Sequence, residues 1–160
     1  MERVNRILEN VTFKKNLSHL RKLEENRIYC RHDIDHLLDV ARLAYIEDLE
    51  KGLGIEKEII YATALLHDLG RVLEYTKQIP HNEGSVDFAQ EILPECGFNS
   101  EEIKLICCAI DSHRNSKELL DKGLAGLIYR ADKKSRTCFD CLAITSCKWS
   151  EDKKNHTIMD

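Results

Sequence analysis

Apolar side chains fall at helical spacing in one segment after another of this chain, and the densest run sits near its middle. From Ile59 to Leu66 only Thr63 and the Tyr61 hydroxyl are polar. Glu56, Lys57 and Glu58 precede the run as a charged helix start. A helix apolar on every side is buried on every side, so this one is central. It delivers His67 and Asp68 straight out of the core; Gly70 ends it and Arg71 leaves toward solvent. Buried polar groups are costly unless paired, so the His-Asp doublet reads as a pair of metal ligands.

The other elements are read around that helix. A short helix is predicted over Glu2–Asn10. A second runs from about Phe13 to Glu25, with Phe13, Leu17, Leu20 and Leu23 as its stripe and Lys14, Lys15, Arg21 and Lys22 as a solvated face. A longer helix runs from about Asp33 to Gly52, with Leu37, Val40, Ala41 and Ala44 inward and Asp33 and Asp35 suited to its start. His36 lies one turn before Val40, at the edge of that face. His32 is a further turn back, on the same side or in the preceding turn. Leu73 to Gln78 reads as a link to Pro80. A helix then begins near Asn82 to Gly84, where Ser85, Ala89 and Ile92 share a face with His81, and Pro94 and Gly97 close it. Ser100, Glu101 and Glu102 read as the cap and acidic first turn of the next helix. Ile103, Ile106, Cys107 and Ile110 face inward from it, and His113 lies one turn beyond. The last strong helix starts near Lys117. Leu120, Leu124, Leu127 and Ala131 line its inner side, and Asp132 stands one turn beyond Ile128. Cys138 to Trp149 is expected to form a further helix, followed by a polar, frayed tail from Ser150.

Composition narrows this to an all-α fold in a single domain: the 160 residues include only two prolines and seven glycines. With 24 basic against 28 acidic residues, the net charge of -4 argues against nucleic acid as a main partner. The start, MERVNRILENV, has no apolar stretch of the signal-peptide kind, and no apolar run approaches a membrane span. The expectation is therefore a cytoplasmic protein with reduced thiols and no membrane partner; its oligomeric state is open.

His36, His67, Asp68, His81, His113 and Asp132 thus each arrive near an end of an apolar helix face. A single histidine of this kind is more often a satisfied core or surface residue. Several in helical register are harder to explain as packing. Imidazole nitrogen and carboxylate oxygen suit Mn, Fe, Ni, Zn or Mg, and a thiolate-free set leans toward a catalytic ion with open positions.

Three stretches, HDIDHLLDVARLA, LLHDLGR and LIYRADKKSR, come in that order, and with them the chain from about Cys30 to Arg136 resembles the HD-domain superfamily of metal-dependent phosphohydrolases. The resemblance implies an HD-domain-like helical bundle over residues 30–136; the residue pattern adds N-terminal helices packed on it (1–29) and a cysteine-containing helix and polar tail after it (137–160). It implies that His36, His67, Asp68 and Asp132 hold a metal. It also implies hydrolysis of a phosphoester or phosphoanhydride bond in a nucleotide-like, small-molecule phosphate ester, using one or two divalent transition metal ions. Asp68 would also orient the attacking water. Arg71 and Lys133 are the further catalytic candidates and Arg31 a phosphate-binding one, each otherwise ordinary surface charge. His81 and His113 suit a second metal, substrate phosphate or a general acid. No GYP signature is present, so cyclic-di-GMP hydrolysis is not supported. Two rivals keep the fold: a di-iron oxygenase-type protein, and a non-catalytic, metal-stabilised module that binds nucleotide.

The cysteines pose a separate question. Cys138, Cys141 and Cys147 form C-x-x-C-x5-C, and Cys30 precedes the first motif. Such thiols can bind zinc or an iron–sulfur cluster, but C-x-x-C is also one helical turn and free cysteine a common core residue. Cys107 faces the core by register.

Overall fold

In the computed structural model, which describes residues 1–158, the chain folds as α1 (Glu2–Glu9), α2 (Val11–Leu23), α3 (Ile34–Lys51), α4 (Lys57–Leu66), α5 (Arg71–Lys77), α6 (His81–Glu95), α7 (Ser100–Ser112) and α8 (Leu124–Lys134). Among the described residues there is no β-strand, so the all-α expectation holds. None of the helices is long and apolar enough to cross a membrane.

The core forms around α4, which packs against α1, α3, α6, α7 and α8. Every residue from Ile59 to Leu66 except Tyr61 is buried, and Thr63 satisfies its hydroxyl by donating to the Ile59 carbonyl at 2.7 Å. A helix of 10 residues is marginal alone in water. Burying Ile59, Ile60, Leu65 and Leu66 contributes about 1.5–3 kcal/mol each, so packing decides the helix. Around it, Asp33 caps α3 by accepting from the Asp35 and His36 amides, and Gly52 closes α3 at φ 60°. Arg3 pins α1 to the starts of α4 and α7, reaching Glu58 at 2.6 Å and Glu102 at 2.8 Å.

Several expectations are corrected. The 73–78 link is helical: α4 stops at Leu66, and the chain turns through 67–70 before α5 begins at Arg71. Gly70 makes that turn possible, because a Cβ there would lie 2.2 Å from the His81 carbonyl oxygen and the Ser85 nitrogen of α6. The turn also redirects Arg71. Instead of leaving toward solvent, its side chain is 19% exposed and lies 2.9 Å from Asp68 Oδ1. Asn99, not Ser100, caps α7, in a reciprocal box with Glu102. Pro94 lies inside α6 rather than closing it; the chain leaves after Glu95, with Gly97 at φ 88°.

The helix expected from Lys117 is two elements. Ser116–Leu120 is a 3-10 turn, and the Asp121 carboxylate accepts from the Gly123 and Gly126 amides at 2.9 and 3.0 Å, which starts α8 afresh. Leu120 consequently faces solvent rather than the core, as does Leu23 at the end of α2. Cys138–Trp149 is not a helix. The segment holds short 3-10 turns at Cys138–Asp140 and Ile144–Ser146, and only Ala143 of its apolar residues is buried. With no apolar stripe to bury, nothing drives a regular helix there. The tail is not frayed at Asn155: its buried side chain donates to the Lys133, Lys134 and Arg136 carbonyls and closes the open end of α8. For Met159 and Asp160 the expected fraying lies outside the described residues.

Candidate metal centre

Five helices end at one place. His36 stands in the first turn of α3 and His81 is the first residue of α6. His67 and Asp68 follow α4, His113 follows α7, and Asp132 lies in the last turns of α8. The structure brings ligand atoms of His36, His67, Asp68 and Asp132 within 4.8 Å of one another, and does the same for Asp68, His81 and His113. Asp68 belongs to both sets.

Its two oxygens face different ways. Oδ2 lies 3.4 Å from His67 Nε2 and 3.6 Å from His36 Nε2. Oδ1 lies 3.3 Å from His81 Nε2 and 3.8 Å from His113 Nε2. Asp132 completes the first side, 3.7 Å from His36 Nε2.

The histidines are oriented from outside. His67 Nδ1 donates to the Ala64 carbonyl at 2.7 Å, and His113 Nδ1 to the Ile110 carbonyl. His81 Nδ1 donates to Glu74 at 3.0 Å. A carbonyl or carboxylate only accepts, so each Nδ1 carries a proton and each Nε2 is turned inward. His36 Nδ1 lies 3.4 Å from Ser135 Oγ, again leaving Nε2 inward. The Nε2 atoms of His81 and His113 are 3.3 Å apart, two lone pairs facing each other when both rings are neutral.

Burial would push the Asp68 carboxyl up, but Arg71 and His67 hold it well below the usual carboxylate range. Burial likewise opposes the Asp132 charge and Lys133 reverses that, so Asp132 is also ionised. Burial, with His67 beside it, pushes His113 down to about 3, and burial lowers His81. His67 moves the other way: burial is outweighed by Asp68, which raises it. Two carboxylates held charged beside inward-facing imidazoles form a donor set for divalent cations. The buried atoms His36 Nε2, His67 Nε2 and Asp68 Oδ1 have no hydrogen-bond partner. Such orphans are costly, and a cation accepting their lone pairs removes the cost. The residues therefore fit a metal.

Of the other candidates, Arg71 sits beside Asp68 without a hydrogen-bonding alignment. Lys133 pairs with Asp132 at the half-open edge of the site. Arg31 is not brought in; its guanidinium binds the Glu25 and Arg27 carbonyls on an exposed loop. His32 is the residue that the candidate set omitted. It lies before α3 rather than on it, buried, with Nδ1 2.7 Å from Glu24 and Nε2 3.7 Å from Asp68 Oδ2. Glu24 is held at about 2: burial opposes its charge and His32 overcomes that. The spacing of His32 to His36 was the one signal available. Glu74 and Ser85 were also missed; Ser85 donates to the His67 carbonyl at 2.7 Å and accepts from Gly70 at 2.8 Å, stitching the turn to α6.

The chain is similar to several known proteins. An uncharacterized protein of Clostridium beijerinckii is 43% identical over 158 residues, covering 99% of both chains. Ribonuclease Y of Mycoplasma capricolum is 30% identical over 111 residues, which span 69% of this chain but 20% of that protein. Among solved structures, a predicted HD superfamily hydrolase from an uncultured Thermotogales bacterium superposes with a TM-score of 0.62 at 22% identity, over 88% of this chain and 80% of that one. The HD domain family matches residues 33–137, a span that runs from the cap of α3 to just past Asp132 and contains His36, His67, Asp68, His81, His113 and Asp132. The chain belongs to the HD domain family.

Proposed function

We propose that this protein is a metal-dependent phosphohydrolase that uses two divalent ions to cleave a phosphoester or phosphoanhydride bond in a nucleotide-like substrate. The observation that carries this reading is the placement of Asp68, whose two oxygens serve two separate groups of inward-facing imidazoles. Divalent ions bound there would acidify water and polarise a phosphoryl oxygen.

The residues supply the rest. His36 and Asp132 are each 14% exposed while Asp68 is 1% exposed, so substrate approaches from the α3–α8 side. Lys133 stands at that opening, and Arg71 and Arg114 carry positive charge on the far side near Glu74. These cations suit the charge that a phosphoryl group spreads over its oxygens. Asp68, held ionised, orients water by accepting its hydrogen bond. His32, with its Nδ1 proton committed to Glu24, offers Nε2 as a proton acceptor inside the site. The shared span with Ribonuclease Y supports a phosphoester as the bond; at 20% of that protein's length it leaves the substrate open.

The test combines elemental analysis of purified protein with phosphodiester, phosphomonoester and nucleotide substrates under added Mn, Ni, Fe and Mg. About two metals per His/Asp centre and metal-dependent phosphate release are expected, both lost in Asp68→Ala. Turnover that survives Asp68→Ala sinks the assignment. Iron with oxygen consumption and no phosphate release moves the reading to the oxygenase-type chemistry.

A further inference from the structure

A second cluster of metal-binding side chains lies outside the His/Asp centre. Cys30, Cys138, Cys141 and Cys147 line one cavity of about 250 Å³, with Trp149 and Lys154 in its wall. They come from two distant stretches of chain. Cys30 lies on the loop before α3, and the others lie on the irregular segment after α8. All are free thiols. Desolvation and the neighbouring Cys138 and Cys141 thiols raise the Cys30 pKa against Arg136, as expected of sulfurs gathered around one space.

The segment that carries three of them lacks the usual means of holding a fold. Its Phe139 and Leu142 are exposed, and it forms no regular helix. A few polar contacts tie it down: Tyr29 donates to the Ser146 carbonyl at 3.1 Å, and Arg136 stacks on Trp149 with 4.6 Å to the ring centroid. Small units without a sufficient apolar core commonly take a metal instead.

We propose that Cys30, Cys138, Cys141 and Cys147 ligate a metal centre through four thiolates, joining the C-terminal segment to the loop before α3. Soft thiolates select zinc or iron–sulfur clusters over hard cations. Thiols spread around a cavity leave room for a cluster as well as for a single ion. No three of these sulfurs lie within 4.8 Å of one another. Around one zinc ion at a Zn–S distance of about 2.3 Å, tetrahedral geometry sets sulfurs roughly 3.8 Å apart. A four-iron cluster takes one thiolate at each iron, spreads the thiolates wider and fills a cavity. Lys154, its side chain 5% exposed and paired with Glu151, also stands in the wall of the cavity. Cys30 is close in sequence to His32, so the loop this centre clamps also carries the histidine that faces Asp68.

The experiment is metal and acid-labile sulfide analysis with visible spectroscopy on the full chain, purified without oxygen. Parent protein is compared with Cys30→Ser, Cys138→Ser, Cys108→Ser and His67→Ala. About four irons and four sulfides per chain are expected beyond the His/Asp metals. They should fall at least about tenfold in Cys30→Ser and Cys138→Ser, and persist in Cys108→Ser and in His67→Ala, which disturbs only the other centre. One zinc per chain with the same pattern of loss also supports the four-thiolate site and fixes its occupant as a single ion. Cys30 sits on an exposed loop, so Cys30→Ser retains its helices by circular dichroism even if Cys138→Ser does not. Metal content unchanged in Cys30→Ser, no metal surviving His67→Ala, or disulfides among these thiols without metal would each overturn the proposal.

Discussion

The His/Asp centre and the cysteine-lined cavity both reach the loop before α3, through His32 and Cys30, and they are built by different means. In the first, His67 and Asp68 are buried at the end of a helix with Leu65, Leu66 and Leu69 fully buried around them. In the second, Cys30 is exposed, and Cys138, Cys141 and Cys147 are half-buried in or just after short 3-10 turns. The first centre is positioned before anything binds. Helix ends fix its backbone, and Glu74, Ala64 and Ile110 fix the rings from behind. The second brings thiols to one cavity but leaves their supporting chain with little apolar burial. Ligands carried on packed helices are preorganised at no cost to binding. Ligands carried on loops must be ordered by whatever they bind, and in return stabilise the fold.

Four predictions press on that contrast. The largest effect belongs to Asp68, the group shared by both halves of the His/Asp centre. Asp68→Ala is expected to lose both ions and to cut turnover by more than about 100-fold, beyond what removing an outer partner does. His113→Ala is expected to lose one ion. Elemental analysis separates the two, and equal loss in both variants would mean that Asp68 is not shared.

Gly70→Ala comes next. Its Cβ must displace backbone of α6, so about 1–3 kcal/mol of stability and the placement of His81 should both suffer. Thermal denaturation and metal content measure these. Gly52→Ala, where no atom lies within 4 Å, is the control that carries only backbone strain. A Gly70→Ala protein as stable as the parent would show that the turn is not held rigidly against α6.

Smaller effects distinguish the outer partners. Glu74→Ala frees the His81 ring and is expected to weaken one ion by about 10–100-fold, while Glu24→Ala frees His32 and leaves metal content near the parent's. Metal titrations followed by calorimetry would show whether the two changes behave alike.

The smallest signal is protonic. Asp68 raises the His67 pKa, so the metal-free protein keeps a His67 proton above the ordinary histidine range, and metal must expel it. Apparent affinity at that ion should therefore rise with pH until His67 is neutral, then level off. His113, at about 3, and His81, also lowered, are neutral at pH 7 and release nothing there. Calorimetry in buffers of different ionisation heat counts the protons; no release at either ion would contradict a protonated His67.

Much of the centre was legible because its residues sit where helical periodicity points. His36 before Val40, His113 beyond Ile110 and Asp132 beyond Ile128 all extend apolar faces whose neighbours are buried. His32 and Glu24 were not legible, since their contact closes a loop with no period to read. The path of Arg71 was misread for a related reason. Its direction depends on the turn at Gly70, and that turn is set by α6, which lies against it in space rather than next to it in sequence. The region after α8 offered an i, i+3 pair of cysteines that looks like one helical turn, but a turn without an apolar face has nothing to pack.

By itself, the sequence determined the helices with continuous apolar faces, the order of the three motifs and the identity of the His and Asp residues carried at helix ends. These depend on local spacing and on burial, which a chain encodes one residue at a time. Tertiary structure alone decided that Asp68 faces two groups of imidazoles, that Arg71 turns inward, that His32 joins the centre while Arg31 does not, and that four cysteines share a cavity. Each of these depends on the angle at which separate elements meet, and that angle is set by the summed packing of the core rather than by any one stretch of residues.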